Sequence, residues 1–114
     1  MDRYRLDLPR SRSLLISAEQ IRRIAVGLGC PEDAAPLGGN DPLIVATLRV
    51  LPATARADAF AVALLRFGHK QDVETICRLA GLRSWRVCEL EAAFVRAAGE
   101  ARAARAPAAV VGRA

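Results

Sequence analysis

Seven consecutive residues, Arg83 to Glu89 (RSWRVCE), carry the densest collection of reactive side chains in the chain. Two guanidiniums offer forked donors that match phosphate oxygens or the paired acceptors on a guanine edge. Ser84 adds a hydroxyl, Trp85 a flat indole, Cys88 a thiol and Glu89 a carboxylate that accepts from an amino group. This is a set for recognition. Catalysis by general acid–base or nucleophilic steps needs at least two converging polar groups, and the other candidates stand apart. His69, the only histidine, reads as a capping or exposed group, and Cys88 beside Arg86 is at most a reactive thiol. No catalytic residue is expected, and the chain is not read as an enzyme.

Metal and cofactor chemistry fail on spacing. Cys30, Cys77 and Cys88 are odd in number and far apart, so they suggest neither a disulfide framework nor a paired metal motif. A zinc site built from His69, Cys77 and Cys88 lacks a fourth ligand. Glu32, Asp33 and Asp41 lack the spacing of a calcium loop. The glycine-rich stretch 29–41 has no following Gly-Lys-Ser/Thr and no preceding strand, and Gly27-Leu28-Gly29 lacks the third glycine of a dinucleotide fingerprint. The expected cofactor is none, and so is the expected metal.

The elements that must hold Arg83 to Glu89 are two short helices. Val73, Ile76, Cys77 and Ala80 recur at helical spacing behind Asp72, a good N-cap, and Gly81 supplies the left-handed residue that ends the helix. From Ser84 a second apolar stripe runs through Val87, Leu90 and Phe94 and can close against the first. Ile76, Cys77, Ala80, Gly81, Leu82, Val87 and Leu90 together resemble the helix-turn-helix pattern of bacterial DNA-binding proteins. There a small residue sits at the crossing (Cys77), a glycine fills the turn (Gly81), and apolar residues six and nine positions later pack the second helix (Val87 and Leu90).

The resemblance implies that the second helix lies in a major groove. Arg83, Ser84, Trp85, Arg86 and Glu89 would then face bases, with Arg83 or Arg86 on guanine, Ser84 also able to hold a phosphate and Glu89 on cytosine, while Lys70 and Arg78 would contact phosphate. The implied role is a small DNA-binding, transcription-regulating protein. The alternative is a non-catalytic protein-interaction module, such as a bacterial or phage adaptor or inhibitor, with Trp85 as the interface anchor. A plain helical hairpin, with Trp85 filling a core poor in aromatics, uses the same pattern. Charge favours no DNA contact by the motif itself: residues 72–94 sum to −1 within a chain of net charge +5, so flanking segments would have to neutralise phosphates.

The rest of the chain reads as an all-α fold, a small bundle of about five helices whose C-terminal half is helix-turn-helix-like. At 114 residues and 53% hydrophobic it is one domain, with closely approaching alanine-rich helices. Arginine supplies sixteen of the seventeen basic residues, an excess that coding bias can also produce. Residues 1–13 read as a flexible basic arm, 14–106 as the helical domain and 107–114 as a frayed tail.

Ser17 and Gln20 form a capping box, Ile16 staples to Ile21, and the first helix ends at Gly27 and Gly29. Asp41 or Asn40 caps a second helix with Pro42 in its first turn. Ala57, Phe60, Ala61, Leu64, Leu65 and Gly68 keep helical spacing over three turns, the central core helix, and the last helix runs past Phe94 towards Pro107. A homodimer seam on that last helix is compatible with the pattern. No run spans a membrane, no leader is apparent, and a cytoplasmic protein is expected.

Overall fold

The computed structural model describes residues 3–34 and 41–105. Within them the fold is all-α with one small hairpin. Strands β1 (Arg3–Asp7) and β2 (Ser13–Ser17) lead into α1 (Ala18–Leu28), followed by α2 (Leu43–Val50), α3 (Ala53–Ala63), α4 (Val73–Ala80) and α5 (Ser84–Arg105). Asn40, one of the two residues expected to cap α2, and the tail 107–114 lie outside the described residues. Of the described helices none is long and apolar enough to cross a membrane.

The hairpin replaces the flexible arm expected at the N-terminus. Its strands pair antiparallel with Tyr4 opposite Ile16 and Leu6 opposite Leu14. The sequence Arg3-Tyr4-Arg5-Leu6-Asp7-Leu8 alternates with period two, so Leu6 and Leu8 are buried while the charged residues face outward. The arginines of this segment are therefore mounted on folded structure. The turn holds two non-glycine residues in the left-handed region, Arg10 (φ 64) and Ser11 (φ 59). Arg56 of α3 ties the hairpin to the bundle: it donates to the carbonyls of Asp7 (2.9 Å), Leu48 (2.9 Å) and Arg49 (3.0 Å). One guanidinium thus closes the end of β1 and the C-terminal carbonyls of α2.

Helix α1 starts at the expected capping box, with Gln20 N donating to Ser17 Oγ (3.2 Å) and Ser17 N to Gln20 Oε1 (2.9 Å). It ends at Gly29 in the left-handed conformation (φ 85). Gly27 does not end it. A β-carbon there would lie 1.9 Å from the carbonyl oxygen of Phe67, so this glycine lets α1 lie against the segment after α3. That segment, Leu64–Gly68, continues α3 directly as a wider, π-helical turn. The buried face of α3 is accordingly Ala59, Phe60, Val62 and Ala63, while Ala57, Ala61, Leu64 and Leu65 of the expected stripe are half-buried. The wider turn re-aims Phe67 towards Phe94, with ring centroids 6.2 Å apart.

The start of α2 also differs from expectation. Pro42 is the cap residue, no side chain among the described residues caps the helix, and Asp41 instead pairs with Arg49 (2.6 Å). Helix α5 is the axis of the core: α2 and α3 pack along it and α4 covers part of its side. Ile44, Leu48, Phe60, Val87, Leu90, Phe94 and Ala97 belong to one buried cluster that also takes in Leu6, Ile16 and Ile21.

Candidate functional site

The α4–α5 pair is built as the residue pattern predicts. Asp72 caps α4 by accepting from the amide of Thr75 (2.8 Å), and the Thr75 hydroxyl together with this amide lowers the pKa of its carboxyl. Gly81 ends α4 in the left-handed conformation (φ 70), and the amides of Gly81 and Leu82 both donate to the carbonyl of Cys77 (2.9 and 3.2 Å). The chain turns in three residues and restarts as α5. Ile76, Val87 and Leu90 are buried between the helices, with Cys77, Ala80 and Leu82 packed at the edge of the same cluster.

Arg83 occupies the cap of α5, since its carbonyl accepts from the amide of Val87 (3.0 Å). Its side chain cannot act as an acceptor, and the first turn contains no acid. Among the described residues no side chain accepts from the amides of Ser84 or Trp85. A cation at the positive end of a 22-residue helix is unfavourable for the helix itself.

Arg83, Ser84, Trp85, Cys88 and Glu89 are all exposed on the outward side of α5. Trp85 is 63% exposed, so it does not fill the core. Arg86 is half-buried and donates to Glu89 (2.7 Å), which pairs these two side chains on the surface of α5. Arg78 is exposed on α4 and makes no ion pair among the described residues. Lys70 stands apart: it lines a hollow of about 210 Å³ with Arg22, Arg23, Val26 and Phe67, beside α1. It also holds a left-handed backbone (φ 56) at the end of the π-helical turn, where the amide of Gln71 donates back to Leu65 (3.0 Å).

The outward strip extends beyond the residues singled out from the sequence. Trp85, Cys88, Ala92, Val95 and Gly99 recur at steps of three and four along α5, all exposed and all uncharged, with Val95 at 47%. On α4 Leu79 is 61% exposed. The signal was present as a second stripe, offset by two residues from Val87-Leu90-Phe94, which is visible only when both sides of one helix are scored. Further along, Arg102 is not free, because it pairs with Glu32 (3.0 Å) and Asp33 (2.7 Å). Those two acids, considered above for a cation, are the anchors of the C-terminal end of α5.

The three cysteines are free: Cys30 buried, Cys77 half-buried and Cys88 exposed. Burial pushes the Cys30 thiol up, against the opposing pull of Arg102. Set against known proteins, the chain matches no family model, no curated protein and no solved structure.

Proposed function

We propose that the chain is a non-catalytic helical interaction protein whose docking face is the outward side of α5. The observation that carries this reading is the uncharged strip headed by Trp85. A protein with a quarter of its residues charged leaves five successive positions of this stripe uncharged, with its only tryptophan at their head and Glu89 and Arg96 along one flank. An exposed indole beside arginine is the composition of an interface anchor. The pairing of Arg86 with Glu89 further lowers the positive charge available to a polyanion.

DNA binding by the helix-turn-helix pair is the second reading, and one observation favours it. Arg83 sits where α5 would gain from an acceptor, beside unpaired amides that attract phosphate. Titration with mixed-sequence duplex DNA at low salt separates the two. The interaction reading expects no salt-sensitive binding that depends on Arg83 and no change in Trp85 emission. Binding that falls steeply with salt and disappears in Arg83→Ala would transfer the function to DNA. Emission from a buried indole in the dilute protein would remove the docking face altogether.

A further inference from the structure

We infer that the occupant of the α5 strip is a second copy of this chain, packed antiparallel with its own α5 across a two-fold axis at Ala92. The inference rests on the docking reading above and names its partner. A glycine inside a helix costs about 1 kcal/mol relative to alanine, and other glycines of this fold have local reasons: Gly27 makes room for Phe67, and Gly81 holds a left-handed turn. Gly99 has none. A β-carbon added there would meet nothing within 4 Å. The space it leaves lies on the outward face, in line with Trp85.

The strip is self-complementary about its centre. With about 100° per residue, Trp85, Cys88, Glu89, Ala92, Val95, Arg96 and Gly99 fall within about 60° of the direction of Ala92. Trp85 and Gly99 stand seven residues either side of Ala92. Antiparallel pairing therefore places the largest side chain of one copy over the glycine of the other, twice. On one flank Glu89 meets Arg96 of the second copy, and on the other Cys88 meets its Val95. Parallel pairing would set Trp85 on Trp85 and leave Gly99 facing Gly99.

Arg96 is exposed and makes no ion pair among the described residues, so it is available for Glu89, which already holds Arg86. An isologous contact with unlike charges opposed and bulk opposed to space is what a closed dimer requires. The strip from Trp85 to Gly99 is about 21 Å long at 1.5 Å per residue. A single helix pair of that length buries less than about 1,200 Å², so the association is weak and concentration-dependent.

Sedimentation velocity from about 5 to about 500 µM, a range suited to weak interfaces, tests this on the full chain. The expected result is a monomer–dimer equilibrium with Trp85 emission moving to the blue as dimer forms. Glu89→Arg alone and Arg96→Glu alone should each weaken association at least tenfold, and the double variant should restore it. Gly99→Leu should abolish the dimer while raising the melting temperature of the monomer, which a fault in folding would not do. A chain that stays monomeric at the highest concentration, or a dimer indifferent to both the charge exchange and Gly99→Leu, overturns the proposal. Monomer with solvent-exposed Trp85 emission would leave the docking face standing for another protein. A blue-emitting Trp85 in a sample that sediments as monomer would sink both.

Discussion

Helix α5 carries two apolar stripes with the same spacing and opposite fates. Val87, Leu90, Phe94, Ala97 and Ala101 are buried, on the side where α2 and α3 pack along the helix. Trp85, Cys88, Ala92, Val95 and Gly99 have no covering element among the described residues. The covered stripe is explained by folding alone, because removing apolar surface from water stabilises the chain that owns both surfaces. The bare stripe is not. On that side of α5 the side chains stay in contact with water in the isolated chain, which is what the proposed docking would change.

The largest test of this contrast uses the aromatic residue on each side. Phe94→Ala should cost about 3–5 kcal/mol, as for a fully buried ring that leaves a cavity. Trp85→Ala removes a larger side chain, yet in dilute solution it should change unfolding free energy by no more than about 0.5 kcal/mol. Urea titrations of the two variants measure the difference directly. A Trp85→Ala loss approaching that of Phe94→Ala would mean that the indole is packed within its own chain.

Two glycines sharpen the same point from the backbone. Gly27→Ala drives a β-carbon into the Phe67 carbonyl, a rigid neighbour, and should destabilise by about 1–3 kcal/mol as overpacking does. Gly99→Ala enters open space and should stabilise the monomer by up to about 1 kcal/mol through helix propensity. Opposite signs from one chemical change are the expected outcome in thermal melts. A smaller effect is expected at Lys70, whose left-handed backbone (φ 56) suits glycine better. Lys70→Gly should raise stability by about 0.5 kcal/mol, the relief of left-handed strain being partly offset by the entropy a glycine loses on folding.

Much of this architecture is legible in the residue pattern, and the gaps have physical causes. The Ser17–Gln20 box, the Asp72 cap and the Gly81 turn depend on neighbours within four residues, so local chemistry decides them. The π-helical turn at Leu64–Gly68 depends on α1 lying against Phe67, a contact between segments some forty residues apart that no local period announces. The hairpin was hidden for another reason. Its alternation, Arg3 to Leu8, occupies only six residues and is interrupted by Pro9, and its burial requires Ile16 and the bundle beneath. At the site, the exposed set Arg83, Ser84, Trp85, Cys88 and Glu89 follows from the periodicity of Val87 and Leu90. The bond between Arg86 and Glu89 depends on the rotamers those side chains adopt, and the opposed roles of Gly27 and Gly99 on whether a distant segment lies against each.

The starts of α4 and α5 offer the finest comparison, because only one has the residue a helix prefers. Asp72 accepts from Thr75, and its lowered pKa means that the folded chain binds a proton less readily than the unfolded chain. Stability from this cap is therefore present above the ordinary aspartate range and is lost as pH falls through the folded-state value. Asp72→Asn keeps an acceptor without the titration, so its melting temperature should fall less steeply below about pH 4, the range in which free aspartate titrates. At the start of α5, Arg83 supplies no acceptor. Arg83→Asp should instead create a cap where none exists and stabilise α5 by about 0.5–1 kcal/mol at neutral pH, a gain that fades in acid. If Arg83→Asp instead destabilises, then Arg83 has a bonding role within the fold, and its place at the head of α5 no longer speaks for a phosphate partner.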